Sequence, residues 1–517
     1  MSKIGVAGLN IDYYVNICYT FFDFVKDYLR GNKMDWHLIL GYLIFFVYTL
    51  AIMLVGVYLE KKTNISKTIC RKLTHIASAF IWVICHLFFG YSIHWLIVNG
   101  ISTLLMGLVI FNKNIKIFSR DDSKKSVGLF YFCLSTFIVA VVSYLISEEF
   151  YLYAGITYFA LALGDGFAPI VARVMKDKNK IVKEGKTLFG TISVYLVTFI
   201  STLVFSNIFD MNLSISFILS IAGLTCITEF YGVKGLDNLF IEFCVFGYLL
   251  LYHYGFVSLP LEIVLITSPL LAILAIGSKS MTPAAGVSAF LLFTLVGFFG
   301  EGFIPVGFIF LLFTLSTIVG IVSKKLDKKD GSEHKKESRK AKQIIAVGLF
   351  GIVALGLYYF TKQEIFNYIF YLSFVEQFVD SMASDIGRLT KKKNINIITF
   401  KPVEKGISGG VSLLGTICAL LGSLILMLIP FMFKVISFKY YIAISLLAFI
   451  GNIIDSILGA TLQALYKCKK CNKLIENSNG CCGEVELIKG FKIIDNTAVN
   501  YLASLLTCLL GLILLVI

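Results

Sequence analysis

Long apolar runs separated by short basic loops make up most of the chain. Each run is about 17–25 residues long, the length at which a helix crosses a bilayer core of about 30 Å. The pattern predicts an all-α polytopic membrane protein with about 14–17 spans. The runs lie at 38–58, 73–90, 92–111, 126–146, 149–174, 191–209, 213–231, 238–254, 257–277, 283–299, 303–322, 343–360, 364–386, 409–432, 436–466 and 497–517.

The composition agrees with a membrane protein. Of the 517 residues, 57% are hydrophobic and 15% are charged, whereas a soluble domain has about 25% charged residues. The 46 Lys and Arg residues exceed the 32 Asp and Glu residues, which gives a formal net charge of +14. In a soluble protein this excess would suggest nucleic-acid binding. Here it is concentrated in loops, so it indicates topology, and no nucleic-acid partner is expected.

The basic loops are all predicted on one face of the membrane, because an even number of runs separates each from the next. The positive-inside rule identifies this face as cytoplasmic. Residues 1–36 form an amphipathic, aromatic segment that lies in the interface or adds a span. This segment lacks the features of a signal or transit peptide. The basic loops are 60–72, 112–125, 176–186, 324–342, 388–405 and 467–492.

Four of the twelve cysteines share one predicted loop at 467–494. Cys468 and Cys471 have the spacing that places two thiolates on one Zn²⁺, and Cys481 and Cys482 would complete a four-sulfur site. A structural zinc site and unligated loop thiols are equally compatible with the sequence.

Polar clusters at the edges of the first-half spans carry the chemical signal, since charges in apolar spans are costly and often functional. Taken singly, the cations could be flanking residues and His75 an interhelical hydrogen-bonding group. Asp165 is harder to explain in this way because its surroundings are apolar. The clusters are Arg71, Lys72 and His75; Asp165 and Arg173; Lys186, Thr187, Gly190 and Thr191; and Glu229, Asp237 and Asn238.

The clusters recur in the same order in the second half, which predicts two homologous tandem modules at 37–255 and 256–517. For example, Asp165 and Arg173 have the same spacing as Asp380 and Arg388. The other correspondences are Arg71-Lys72-x-x-His75 with Arg339-Lys340-x-x-Gln343, Thr187-x-x-Gly190-Thr191 with Ser412-x-x-Gly415-Thr416, Glu229 with Asp455, and Asp237-Asn238 with Asp495-Asn496.

The residue types in these clusters suit phosphoryl or nucleotidyl transfer to a lipid. Mg²⁺ is commonly held by one or two carboxylates together with phosphate oxygens, and cations neutralise the transferring phosphoryl group. An acceptor dissolved in the bilayer would explain why the clusters are embedded among spans.

The same motifs resemble two known families. Residues 60–255 resemble the dolichol kinase and phytol kinase family of polyprenol kinases. Residues 260–517 are similar to the membrane family that contains phytyl-phosphate kinase. The first resemblance rests on Arg71-Lys72-x-x-His75, Gly164-Asp165-Gly166-x-Ala168, Lys186-Thr187-x-x-Gly190-Thr191 and Gly235-Leu236-Asp237-Asn238. The second rests on Asp380-Ser381-x-Ala383-Ser384-Asp385-x-Gly387, Lys405-Gly406-x-Ser408-Gly409-Gly410-Val411-Ser412, Asp455-Ser456-x-x-Gly459-Ala460-Thr461 and Asp495-Asn496-x-x-Val499-Asn500.

These resemblances imply a bifunctional membrane kinase. The first module would phosphorylate an isoprenoid alcohol such as phytol, geranylgeraniol or farnesol, and the second would convert the monophosphate to the diphosphate. The implied donor is CTP or another nucleoside triphosphate, with Mg²⁺. Two alternatives remain open: a CTP-dependent cytidylyltransferase acting on a phospholipid such as phosphatidic acid, and a repeat-built transporter.

The site residues expected for the kinase fall into three groups. The catalytic candidates are Asp165, His75, Lys186, Asp380 and Asp385. The phosphate-binding and nucleotide-binding candidates are Arg71, Lys72, Arg173, Thr187, Gly190, Thr191, Arg339, Arg388, Lys405, Gly409, Gly410 and Ser412. The Mg²⁺ candidates are Asp165, Glu229, Asp237, Asn238, Asp380, Asp455 and Asp495.

Overall fold

The computed structural model describes residues 36–62, 65–111, 127–175, 186–232, 235–329, 338–390, 394–404, 406–476 and 483–515. The chain divides into two compact units, Met1–Ile273 and Leu274–Ile517. This division falls later in the chain than the predicted module boundary at 255/256. The predicted N-terminal segment, except for its last residue, lies outside the described residues.

The first unit is built from helices. They are α1 (Trp36–Lys62), α2 (Lys67–Phe88), α3 (Ile93–Phe111), α4 (Gly128–Ile146), α5 (Glu148–Phe159), a π-helical segment (Ala160–Asp165), α6 (Gly166–Val174), α7 (Leu188–Ile208), α8 (Ile215–Tyr231), α9 (Leu236–His253) and α10 (Leu259–Gly277), which extends past the division.

The second unit continues with helices and adds six short strands. They are α11 (Pro283–Phe299), α12 (Phe303–Lys329), α13 (Ala341–Thr361), α14 (Glu364–Gly387), β1 (Asn394–Asn396), β2 (Pro402–Val403), β3 (Gly410–Val411), α15 (Leu413–Met432), α16 (Phe438–Thr461), β4 (Leu465–Cys468), β5 (Leu474–Ile475), β6 (Val485–Lys489) and α17 (Asn496–Leu514).

Every predicted apolar run contains one helical segment of the structure, when α5, the π segment and α6 are taken together. Within the described residues, 13 helices are long and apolar enough to cross a membrane. Helices α8 and α11 are apolar but shorter, and α14 carries more charge because it holds several acidic side chains. The protein is therefore a multi-pass integral membrane protein, as the sequence predicts.

One helical stretch lies at the centre of each unit. In the first unit, the π-helical segment that ends at Asp165 packs against α2, α5, α7, α8 and α9. In the second unit, α14 packs against α12, α13, α15, α16 and α17. Both central stretches carry one of the repeated aspartates, so the fold surrounds Asp165 and Asp380 with other helices.

Two small sheets depart from the all-α expectation. Antiparallel strands in the order β2-β1-β3 follow α14, and a second antiparallel set in the order β5-β4-β6 follows α16. Strands of two to five residues in polar loops leave almost no alternating apolar pattern, so the sequence does not reveal them. Both sheets lie mainly in loops that the sequence predicts to be basic, but β3 and the start of β4 fall within the predicted runs 409–432 and 436–466.

Glycines allow some helices of the first unit to approach very closely. A Cβ added to Gly223 of α8 would collide with the Leu265 backbone carbonyl of α10. By contrast, a Cβ on Gly247 of α9 would meet no atom within 4 Å.

This difference predicts opposite outcomes for two matched substitutions. Gly223→Ala should lower the unfolding temperature of the detergent-solubilised protein, since overpacking against a backbone atom costs about 1–3 kcal/mol. Gly247→Ala should leave that temperature unchanged or raise it slightly, because alanine is the better helix former. Equal unfolding temperatures for the two variants would contradict the close α8–α10 contact.

Candidate active sites

Pairs of half-buried lysines with buried carboxylates form a charged network in the first unit. Asp165, which is 1% exposed, forms an ion pair with Lys72 of α2. His75 lies one helical turn after Lys72, and its Nδ1 is 3.4 Å from Asp165 Oδ2 without the alignment of a hydrogen bond. Asp165, at the end of the π-helical segment, therefore faces both Lys72 and His75 of α2.

Lys186 extends this network to two further carboxylates. Its ammonium donates to the Glu229 backbone carbonyl at 2.9 Å and forms an ion pair with the Glu229 side chain. It also lies 3.6 Å from Asp237 Oδ2. Burial lowers the pKa of Lys186. The carboxylates of Glu229, Asp237 and Asp165 together raise this pKa by more than burial lowers it, so the pKa lies above its usual value. Lys186 is therefore held in its charged form.

A capped helix start positions Lys186. Thr187 is the N-cap of α7, and its hydroxyl accepts a hydrogen bond from the Gly190 backbone N–H at 3.3 Å. A Cβ on Gly190 would lie 3.1 Å from the Ala168 carbonyl of α6. Because glycine permits this approach, the start of α7 rests on the helix that follows Asp165.

Two predicted residues of the first unit lie apart from this network. Arg173 is exposed in the last turn of α6, and among the described residues it forms no ion pair with Asp165. Asn238 donates its side-chain N–H to the Gly128 carbonyl at 2.5 Å, which joins the start of α9 to α4. The nearby Arg71 contributes to the electrostatic environment of His75.

The second unit has a different arrangement of acidic groups, in which Asp380 and Asp455 are half-buried. Asp380 Oδ1 accepts a hydrogen bond from Asn452 Nδ2 at 3.0 Å, and its carboxyl group contacts that of Asp455. One turn before Asp380 on the same helix lies Glu376, which is fully buried. Within the described part of the chain, no lysine or arginine pairs with Asp380 or Asp455.

Glu376 is a buried acid that is not among the residues predicted from the sequence. Gln377 donates to its Oε2 at 2.9 Å, whereas its Oε1 has no hydrogen-bond partner. The buried hydroxyl of Thr507 also has none, and both side chains border Gly451.

The first unit also has a buried acid that the sequence did not predict: Glu242 of α9, which accepts from Thr136 at 3.0 Å. A carboxylate within an apolar run was the available signal for both Glu376 and Glu242.

The capping arrangement of the first unit recurs in the second. Ser412 is the N-cap of α15 and accepts from the Gly415 backbone N–H at 3.1 Å. A Cβ on Gly415 would lie 2.8 Å from the Ala383 carbonyl of α14. Ala383 and Gly415 therefore make the contact that Ala168 and Gly190 make in the first unit. In the aligned motifs, Val411 stands where Lys186 stands.

The remaining predicted residues of the second unit lie at several places in it. Arg339 donates to Ser316 Oγ at 2.9 Å, and Asp385 is near enough to affect it electrostatically. Asp495 caps α17 and forms an ion pair with Lys342, which holds the pKa of Asp495 below its usual value despite partial burial. Arg388 caps the end of α14.

Two predicted phosphate ligands form part of a glycine-containing loop. Gly409 is buried and has a positive φ of 81°, and Gly410 begins β3. Lys405 of the same loop lies outside the described residues.

The cysteine loop is only partly described. Cys468 ends β4 and is buried, whereas Cys471 is exposed in the turn that leads to β5. Cys481 and Cys482 lie outside the described residues. In the part of the chain that the structure describes, no three His, Cys, Asp or Glu side chains are grouped as a metal site would require. The zinc site therefore stays a prediction.

Comparison with known proteins connects most of the second unit to a membrane family. The family described as integral membrane protein DUF92 matches residues 266–508. This stretch resembles the DUF92 integral membrane family. It contains the Asp380, Ser412, Asp455 and Asp495 motifs. No match to the dolichol kinase family was found, so that resemblance of the first half stays a prediction.

Three curated relatives share part of the chain. Protein PGR of Arabidopsis thaliana is 34% identical over 142 residues, which are 25% of this chain and 48% of the relative. Chloroplastic protein VTE6 of the same plant is 31% identical over 188 residues, 35% of this chain and 56% of the relative. An uncharacterized membrane protein of Methanocaldococcus jannaschii is 29% identical over 163 residues, 30% of this chain and 66% of the relative.

These alignments are partial on both sides. The chain spans about half the length of the first two of these relatives. No solved structure matches it.

The Lys186–Glu229 pair should be coupled energetically. Lys186→Met should lower the unfolding temperature, because an uncompensated buried carboxylate costs about 3–5 kcal/mol. Adding Glu229→Gln should recover part of this loss, as a double-mutant cycle in detergent would show. Lys469→Met, which breaks the exposed pair with Glu484, is the control and should have little effect. Strictly additive effects of the two substitutions would rule out the coupling.

The zinc prediction is tested by metal analysis of the purified full chain. A structural zinc site requires about one zinc per chain, and Cys468→Ser or Cys471→Ser should then reduce the content markedly, whereas unligated thiols require none. Cys418→Ser, in α15, should not change it. A zinc content below about half an equivalent in the unmodified chain would refute a structural zinc site.

Proposed function

We propose that this protein is a bifunctional membrane lipid kinase that converts an isoprenoid alcohol to its monophosphate and then to its diphosphate. The donor would be a nucleoside triphosphate, with CTP favoured by the resemblance of the motifs. The observation that carries the proposal is the half-buried Asp380–Asp455 pair, which has no cationic partner among the described residues. It lies within the stretch that resembles a membrane family.

The Asp380–Asp455 pair suits a bound Mg²⁺. Two adjacent carboxylates that are partly shielded from water repel each other, and sharing a proton or binding a cation relieves this repulsion. Asp455 Oδ1 is buried without a hydrogen-bond partner, so an acceptor atom is available. Mg²⁺ held by these two carboxylates would neutralise charge on the donor phosphates.

The first unit has the groups that activation of an alcohol requires. The prenol oxygen would attack the γ-phosphorus of the donor, the bond from that phosphorus to the β,γ-bridging oxygen would break, and the nucleoside diphosphate would leave. His75 would take the hydroxyl proton, and Asp165 would stabilise the resulting imidazolium. Lys186 and Arg71 would bind the phosphates.

The second unit needs no such base, because a monophosphate acceptor is already anionic. Gln343 stands where the repeat places His75, and its Oε1 accepts from the Lys340 backbone N–H at 2.8 Å. It therefore caps α13, and it cannot remove a proton because a carboxamide is not basic. The monophosphate oxygen would attack the γ-phosphorus directly, and the second nucleoside diphosphate would leave without a proton transfer.

The full chain in nanodiscs, supplied with Mg²⁺, CTP labelled in its γ-phosphate and geranylgeraniol, should yield both the monophosphate and the diphosphate. Asp165→Asn should slow the first step at least ~100-fold and leave the monophosphate a substrate. Asp380→Asn should let the monophosphate accumulate. Thin-layer separation of labelled lipids provides the measurement.

The exposed Asp210 provides the control, since Asp210→Asn should leave both steps unchanged. Equal loss of both steps in both active-site variants would contradict two separate sites. Label that reaches a phospholipid from α-labelled CTP, with release of pyrophosphate, would instead establish a cytidylyltransferase. The absence of any chemical turnover would leave the transporter alternative.

A further inference from the structure

The glycine loop, defined as residues 406–412, is pressed against the end of α16. Gly406 and Gly409 have positive φ angles of 85° and 81°, a backbone conformation that glycine adopts without strain. A Cβ on Gly409 would collide with Ala460, and a Cβ on Gly459 would lie 3.2 Å from the Gly409 backbone nitrogen. The loop backbone is thus fixed in place by direct contact with the helix.

A carboxylate of the protein itself is bound to this loop. The Ser408 backbone N–H donates to Glu476 Oε1 at 2.6 Å. Glu476 follows β5, so it reaches the glycine loop from a sheet that lies some 70 residues further along the chain. Loops with left-handed residues turn backbone N–H groups toward anions. Glu476 therefore occupies a position that suits an anionic ligand.

A lysine of the same sheet contacts the helix end under the glycine loop and lies near enough to Glu476 to be affected by its charge. Lys489, the last residue of β6, is half-buried, and its ammonium donates to the Gly459 carbonyl at 3.3 Å. Burial lowers the pKa of Lys489, and the nearby Glu476 raises it less, so the net shift is downward. Among the described residues, Lys489 forms no ion pair. An additional negative charge near Lys489 would stabilise its ammonium form.

We propose that the Ser408 backbone N–H and the Lys489 ammonium bind a phosphoryl group, and that Glu476 occupies this site until the phosphoryl group displaces it. The inference rests on the proposed function, for which it names phosphate-binding groups of the second unit. A phosphate dianion bonds more strongly than a carboxylate to an N–H group and an ammonium. Displacement of Glu476 is therefore favourable when phosphate binds.

The competing explanation is that Glu476 only ties the sheet to the loop. The two explanations predict opposite effects of removing its charge. If Glu476 is only a structural tie, removing its charge should weaken anion binding, because the loop would no longer be held in place. If Glu476 competes with the anion for the site, removing its charge should strengthen anion binding.

The experiment measures pyrophosphate binding to the full chain in nanodiscs by titration calorimetry. Glu476→Gln keeps a hydrogen-bond acceptor but removes the charge, and it should tighten binding ~3–10-fold. Lys489→Gln should weaken pyrophosphate binding ~10-fold, whereas Lys489→Arg, which keeps the positive charge, should retain most of the binding. Glu484→Gln and Lys469→Gln, which alter an exposed pair 3.1 Å apart near the same sheet, should each change binding less than about twofold.

Weaker or unchanged pyrophosphate binding in Glu476→Gln would overturn the inference, provided that the variant unfolds at the same temperature as the unmodified chain. Competition with CTP and with geranylgeranyl monophosphate identifies whether the donor or the acceptor supplies the phosphoryl group. If pyrophosphate binding responds as expected but no lipid is phosphorylated, the anion site stands and the proposed kinase function fails. If lipid is phosphorylated but Glu476→Gln does not tighten binding, the function stands and the anion site fails.

Discussion

The cost of burying carboxylates among membrane-spanning helices governs both units of this protein. An ionised carboxylate in a dry interior is unstable unless a cation, a proton or several hydrogen-bond donors compensate it. Asp165 and Asp380 each lie on the most enclosed helical stretch of their unit. Each aspartate must therefore find its compensation within its own unit, and this requirement decides which side chains surround it.

The two units meet this requirement differently. In the first unit, Lys72 and Lys186 neutralise Asp165 and Glu229 through ion pairs. In the second, Asp380 contacts Asp455 and accepts from Asn452, without a described cation. The aligned motifs explain part of this contrast, since Val411 replaces Lys186. The first unit thus carries its own counter-charges, whereas the second has a greater need for an external cation or for protons.

The same helix-start contact is built twice from small residues. Thr187 and Ser412 each cap a helix, and Gly190 and Gly415 each let that helix start rest on a carbonyl of the preceding helix. A larger residue at either glycine would move the helix start away from the preceding helix, which carries or follows the repeated aspartate. The repeated Gly-Thr motif therefore has a packing role as well as the expected role at phosphate.

The sequence alone determined the integral membrane class, the approximate position of every described span and the positions of most buried charges, because apolar length and isolated carboxylates are local signals. Glu376 was not among the residues predicted from the sequence, although a carboxylate within an apolar run signals it. The strand pairing of the loops left no such signal, because strands this short have little alternating pattern. Only the tertiary structure decided that Lys72 pairs with Asp165, that Arg173 stands apart, and that Glu476 and Lys489 reach the glycine loop. These pairings depend on helix packing and loop pairing between distant segments, which spacing along one chain does not specify.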